Sequence, residues 1–509
     1  MWSQLCAVAT ALAPLCALFP LQLTSRDLPD LRNKLRDRVR GSEDYFKGQT
    51  RQVVVQHLAD IATEEAWELV LYALTDPNAR VADEAQIALG RVRDAEGVAL
   101  VCGREGLRSR EGDVALRAAE ALGRVGVPVE AKPLVKALGK GESEVRRSAI
   151  WSLERLARTG LLAGDLEPAR SALRKCARSA RDGEQAAAAL RALSALGDEG
   201  VVELAESSLS SREPIVVAGA AAVLTEWLDT GALEHLRSLL GHESRVVRAQ
   251  VAESLRRIAD RGALEILIEG MVAEPRPRLK QDFVGCLQSL TGMRYRDDPR
   301  SWRHYLGRID ASWRGGQAPT ELRLPKSAAQ FVGLSMVSDR VVFLIDFSGS
   351  MWDRRAGASR RELVERELEG ALTALPRTAR FNVIPFADEP EPWEDALQPA
   401  RPGRIRDAMK AFRKCRANGR GNFYDAARLA MEDPEVDTLV VLTDGAPTGG
   451  RRWNMDLMTE LLEEWNRFRF VTVDAILIRP SPRVVAGWRE LTRRMNGRCL
   501  SVDLEIPPE

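Results

Sequence analysis

The segment Val341-Val342-Phe343-Leu344-Ile345-Asp346-Phe347-Ser348-Gly349-Ser350-Met351 decides how the C-terminal part of the chain folds. Its unbroken β-branched and aromatic run is the pattern of a strand buried on both faces of a parallel sheet. The run then delivers a carboxylate and two hydroxyls at alternating positions. Ligands of open α/β sheets sit beyond the carboxyl ends of the strands, which is where Asp346, Ser348 and Ser350 stand. A second run, Thr438-Leu439-Val440-Val441-Leu442-Thr443-Asp444-Gly445, ends in a second carboxylate and passes into a loop rich in Gly, Pro and Thr. Two such strand ends can converge on one ion. Hard divalent cations take oxygen ligands, and Mg²⁺ prefers octahedral geometry at about 2.0–2.1 Å while keeping several waters. Asp346, Ser348, Ser350 and Asp444 supply that chemistry.

Outward from these two runs, periodicity predicts strands over 340–346, 380–386, 437–443, 470–478 and 499–503. Helices are predicted over 360–375, near 424–431, 455–468 and 483–495. Such alternation predicts a doubly wound parallel sheet. From about Phe331 to Leu504 the chain resembles the von Willebrand factor type A domain. That family's metal-ion-dependent adhesion site combines an Asp-x-Ser-x-Ser strand end, a loop threonine and an aspartate after a later strand. The resemblance implies Mg²⁺ or Ca²⁺ held by Asp346, Ser348, Ser350 and Asp444, with Asp425 orienting the shell. It also implies a protein partner offering a Glu or Asp side chain to the ion. Bacterial members commonly carry a Gly-Gly-Thr-Asn loop followed by Tyr-Asp-Ala. Here the run is Gly419-Arg420-Gly421-Asn422-Phe423-Tyr424-Asp425-Ala426. Gly421 stands at the threonine position and offers no side-chain oxygen, so that ligand comes from water, from Asn422, or not at all. Taken alone, Asp346 to Ser350 would serve equally as a strand-to-helix turn in which Ser and Asp cap a helix. Asp444 and the Tyr424-Asp425-Ala426 loop weight it toward a cation site. Nothing in this region calls for catalysis, since His57, His235, His242 and His304 all precede it, and metal hydrolases want a positioned base and usually His ligands.

Between about residues 50 and 292 a helical pattern recurs. Val81…Ala85…Leu89, Val114…Ala118…Leu122, Val145…Ala149…Leu153 and Val247…Val251…Leu255 each mark one helix face. With Ala188, Val216 and Leu279 as further anchors, the successive spacings are 33, 31, 43, 28, 31 and 32 residues, irregular only around Gly160 to Ser171. A ~30-residue period of paired helices predicts an α-solenoid. These repeats resemble short HEAT repeats, including the bacterial type related to phycobilisome lyases. Arginines in Val145-Arg146-Arg147 and Arg245-Val246-Val247-Arg248 read as solvated helix faces able to meet an acidic partner. Trp302, Tyr305 and Trp313 are expected to cover the last repeat.

With 74 basic and 73 acidic residues the net charge is +1, which gives no general pull toward nucleic acid or anionic membrane. Residues 1–25 carry no charged side chain and are largely apolar, the pattern of an export signal; no membrane span is expected once it is removed. Cysteines at 6, 16, 102, 176, 286, 415 and 499 form no Cys-x-x-Cys pair, which argues against a disulfide framework or a zinc site.

The sequence thus predicts a multidomain chain. A leader at 1–25 precedes an all-α HEAT-like solenoid at 26–312, a linker at 313–330 and a doubly wound α/β type A domain at 331–509. The expected function is a non-enzymatic protein-binding adaptor, exported to the periplasm or cell envelope. A cytosolic scaffold or partner of an ATPase is the alternative, and a lyase-like enzyme acting through the solenoid groove is a third class.

Overall fold

A computed structural model of the chain describes residues 24–38, 43–179, 182–316, 329–352, 357–416 and 419–503. Most of the expected leader and linker, 1–23 and 317–328, lie outside the described residues. The chain divides into two compact units, Met1–Val127 and Pro128–Glu509.

In the first unit, α1 (Ala79–Leu89) and α2 (Gly112–Leu122) are the second helices of their repeats. Asn78 caps α1 by accepting from the Arg80 amide. The anchors Val81, Ala85, Leu89, Val114, Ala118 and Leu122 are all buried. Asp83 receives Arg117 at 2.6 Å, and Gln86 donates to Glu120 at 2.6 Å. These four buried polar groups therefore satisfy one another across the seam.

In the second unit the series continues with α3 (Ser143–Arg158), α4 (Gly183–Ala195), α5 (Pro214–Leu228), α6 (Arg245–Ile258) and α7 (Pro277–Thr291). The long spacing has a local cause. After α3, Leu162–Ala163 pairs in parallel with Val129–Glu130 before the next helix begins at Glu167. The run Pro214–Leu239 is long and apolar enough to cross a membrane, but 61% of its window is buried within the protein. Its Ala and Val content serves close helix packing: a Cβ added at Gly219 of α5 would lie 2.8 Å from Ala187 Cβ of α4. The cap is as expected in part. Trp302 is fully buried beside Tyr295, and Gly315 and Gly316 donate to the carbonyls of Ala259 and Leu290.

The α/β domain runs β1 (Arg340–Asp346), α8 (Gly357–Ala374), β2 (Arg380–Phe386), β3 (Gln398–Pro399), α9 (Pro402–Lys414), α10 (Phe423–Ala430), β4 (Thr438–Thr443), α11 (Met455–Asn466), β5 (Thr472–Ile478), α12 (Pro482–Arg494) and β6 (Cys499–Val502). The sheet order is β6-β5-β4-β1-β2-β3, parallel except for β3. Alternate residues of β1 enter opposite layers. Val341, Phe343 and Ile345 join Leu368 and Phe412, while Val342 and Leu344 join Phe423, Met458 and Leu491. Both faces are covered, which is why β1 and β4 read as continuous apolar runs.

Within the second unit the α/β domain is seated on the repeats, and two of the four arginines expected to be solvated, Arg147 and Arg245, take part in the seating, while Arg146 and Arg248 bond within the repeats. Arg245 is 6% exposed. Its Nη2 donates to the carbonyls of Val436 (2.9 Å) and Arg469 (2.6 Å), and its Nη1 to that of Phe470 (3.1 Å). Those carbonyls lie just before β4 and β5, at the amino edge of the sheet. Arg278 reaches the Asn496 carbonyl ahead of β6. Arg147 of α3 and Arg428 and Arg469 of the α/β domain each place a guanidinium carbon 4.0 Å from the Trp465 ring centroid, a cation–π arrangement. Glu184 binds both Arg147 and Arg469. Glu154 of α3 takes Arg467 in a two-pronged pair at 2.6 and 2.8 Å.

Burial works against the charged form of Glu154, yet Arg467, Arg191 and Arg158 outweigh it and hold its pKa near about 2, below its ordinary 4.5. A depressed carboxylate contributes stability above its unfolded pKa and loses it as pH falls through the folded value. Glu154→Gln is therefore expected to lower the melting midpoint at pH 7 and to converge with wild type as pH approaches 2, in paired thermal melts across that range. Gly219→Val should cost about 1–3 kcal/mol through overpacking of α4 against α5, read by denaturant unfolding.

Candidate metal centre

The strand ends expected to meet do meet. β1 and β4 are adjacent and parallel, with Ile345 level with Leu442, so Asp346 and Asp444 emerge side by side. Ser350 Oγ donates to Asp444 Oδ1 at 3.1 Å across 94 positions of sequence, and Ser348 Oγ lies 3.5 Å from Ser350 Oγ. Asp346 is 5% exposed; its Oδ1 accepts the Ser348 amide at 2.8 Å and its Oδ2 the Thr443 hydroxyl at 2.6 Å. Ser350 is exposed and Asp444 half-buried. The four oxygens thus grade from a buried floor to an open rim.

Burial pushes the Asp346 carboxyl up, its hydrogen bonds to Thr443 and Ser348 pull it down, and the Asp444 charge raises it again, with a net upward shift. Neighbouring carboxylates disfavour one another's ionisation, and a divalent ion between them would favour it. Among the described residues no group of three or more His, Cys, Asp or Glu side chains could hold a metal, so any ion here relies on the two carboxylates and the hydroxyls together.

Gly421 stands where the loop threonine was expected. A Cβ built there would lie 3.4 Å from Asp346 Oδ2 and 3.6 Å from Oδ1, an ordinary contact. The loop is therefore in place and only its hydroxyl is missing. Asn422 does not fill the gap. It is 1% exposed, its Oδ1 caps α10 by accepting the Asp425 amide at 3.3 Å, and its Nδ2 donates to the Asp388 carbonyl at 3.0 Å. Asp425 faces Arg451, taking its amide at 3.2 Å and its Nε at 3.3 Å. It orients the loop after Asp444 rather than the ligand oxygens.

Two partners escaped the sequence reading. Thr443 buttresses Asp346, and Thr448 Oγ1 accepts the Gly421 amide at 3.1 Å. A hydroxyl one residue before the second carboxylate was the available signal for the first. Thr448 becomes visible only once the two loops are paired. The donor set fits a hard divalent cation, with two anionic oxygens, two hydroxyls and a solvent-facing rim.

Fold and site together define a helical-repeat protein with a C-terminal α/β domain of the von Willebrand factor type A fold, two features that fit a role in protein interaction. A family model described as HEAT repeats matches residues 104–194 and 201–288. The chain is 31% identical over 129 residues to inter alpha-trypsin inhibitor heavy chain 4 of Mus musculus, a match covering 23% of this chain and 13% of that protein. The chain therefore spans only about an eighth of the length of such curated relatives. A solved von Willebrand factor type A structure from Catenulispora acidiphila covers 33% of this chain and 39% of its own, at 18% identity and a TM-score of 0.28. Human deoxyhypusine hydroxylase, solved in complex with glycerol, covers 52% of this chain and 95% of its own, at 20% identity and a TM-score of 0.23.

Gly421→Thr adds the missing hydroxyl at a contact distance the backbone already accommodates. It is expected to tighten Mg²⁺ binding by about tenfold over wild type in calorimetric titration, without lowering the melting midpoint.

Proposed function

We propose that this protein is a non-enzymatic adaptor that captures an acidic side chain of a protein partner through a divalent cation, Mg²⁺ or Ca²⁺, held at Asp346, Ser348, Ser350 and Asp444. The observation that carries the reading is the Ser350–Asp444 contact at 3.1 Å, which joins two strand ends far apart in sequence into one cluster of oxygens. A bound cation would supply a positive, coordinatively open centre at the rim. The chain's own residues do the rest. Asp346 forms the buried anionic floor, steadied by Thr443 and the Ser348 amide. Exposed Ser350 and half-buried Asp444 form the rim that a partner's carboxylate would approach.

The uncharged, apolar residues 1–25 support placing this adaptor outside the cytoplasm, at the cell envelope. The near-neutral net charge supports a protein partner over nucleic acid.

Titrating Mg²⁺, Ca²⁺ and Mn²⁺ into chelator-stripped full-length protein tests the site. Saturable binding that Asp346→Ala abolishes is the expected result. Identical heats for wild type and Asp346→Ala would remove the cation from the proposal.

A further inference from the structure

The loops that build the candidate centre do not stand alone. The segment 444–451 begins at Asp444 and ends at Arg451. In between, it is zipped onto the loop carrying Gly421: the amides of Thr448 and Gly449 donate to the Gly421 carbonyl at 3.1 and 3.3 Å, and the Gly421 amide donates to Thr448 Oγ1 at 3.1 Å. The fit leaves no room for side chains. A Cβ at Gly449 would lie 2.8 Å from Arg420 Cβ, and Gly450 has φ +82 with its Cβ position 1.8 Å from Asn422 Oδ1. These two loops therefore pack as one sandwich, with Asp346 against one side of it at the Gly421 position.

Glu144 holds the other side. It lies in the first turn of α3, on the helical repeats. Its Oε2 takes Arg451 Nη1 at 3.1 Å and its Oε1 takes Arg451 Nη2 at 3.5 Å. Oε1 also binds Arg428 of α10, the helix that Asn422 caps directly after Gly421. One carboxylate on the repeats thus ties the segment that follows Asp444 to the helix that follows Gly421. Asp425 completes the bracket by binding Arg451 from within the α/β domain. Burial works against the charge on Glu144, but Arg428 and Arg451 overcome it and hold its pKa near about 2, so the tie is ionised at neutral pH.

We propose that Glu144 is a positioning residue for the cation centre, and that the helical repeats thereby set the geometry at which Asp444 and the Gly421 loop face Asp346. This rests on the cation reading of that centre. It makes the repeats a working part of the type A site, so that a load or ligand acting on α3 is felt at the oxygens that would hold the ion.

The test uses full-length protein carrying Glu144→Gln, Glu144→Asp or Glu184→Gln. The last removes a charged tie between the same two parts that touches neither loop. Mn²⁺ affinity is read from the electron paramagnetic resonance signal of the free ion, and loop order from amide hydrogen exchange over 445–451. Glu144→Gln is expected to weaken Mn²⁺ about tenfold and to speed exchange in the loop, the scale at which residues supporting a ligand shell act. Glu144→Asp should recover much of the loss and Glu184→Gln should match wild type. Wild-type affinity and exchange in Glu144→Gln overturn the proposal. An equal loss in Glu184→Gln also overturns it, because the effect would then belong to seating as a whole. If wild type binds no cation, the function proposed above fails while the exchange measurement still decides whether Glu144 orders the loop.

Discussion

β4 is held at both ends, and much of this structure follows from that. Beyond its carboxyl end stands Asp444. Just before its amino end, the Val436 carbonyl accepts a hydrogen bond from Arg245, which also satisfies the carbonyls of Arg469 and Phe470 before β5. A buried guanidinium is costly unless its donors find acceptors; both Nη groups of Arg245 find them, while its Nε lies buried without one. The strand starts on one edge of a sheet supply carbonyls that the ladder leaves over, and one side chain on α6 collects three of them. The same residue that makes burial of the α/β domain's lower edge acceptable also fixes the strand from which the candidate site projects.

Charge is distributed to the same end. The seam between the repeats and the α/β domain is built from arginine paired with glutamate or stacked on Trp465, with few apolar anchors among these contacts. Guanidinium groups are planar, weakly hydrated and able to bind two carboxylate oxygens at once, so they make an oriented seam where an apolar one would be less specific. Orientation matters here because Glu144 reaches the segment after Asp444 and the helix after Gly421 from outside the domain that carries them. The helical part is thus a base for the site as well as a candidate surface for other partners.

The strands and most helices of the α/β domain were legible because both faces of the sheet are covered. Continuous apolar runs such as 341–345 and 439–442 have no other economical reading. The helix anchors Val81 through Leu279 were legible because each repeat buries the same face. The helix Pro402–Lys414 and the two-residue strand Gln398–Pro399 were missed. The strand is too short for periodicity to register, and the charged residues of Arg404-Ile405-Arg406-Asp407 masked the buried stripe of Ile405, Ala408, Met409 and Phe412. Arg146, Arg147, Arg245 and Arg248 were misread as solvated faces for a related reason. An arginine on a helix looks the same in sequence whether its partner is water or a carbonyl two hundred residues away.

By itself, the sequence determined the five parallel strands and most helices of the α/β domain, the four oxygen-bearing residues of the candidate site and the lack of a hydroxyl at Gly421. These depend on side-chain chemistry and local periodicity, which a linear chain records directly. Only the tertiary structure decided that Asn422 is committed to capping α10, that Thr443 and Thr448 brace the centre, and that Glu144 reaches it through Arg451. Those are pairings between distant segments. Their physical cause is the need of buried polar groups for partners, and which partner each one finds is settled only when the packed sheet and helices bring the candidates within hydrogen-bond reach.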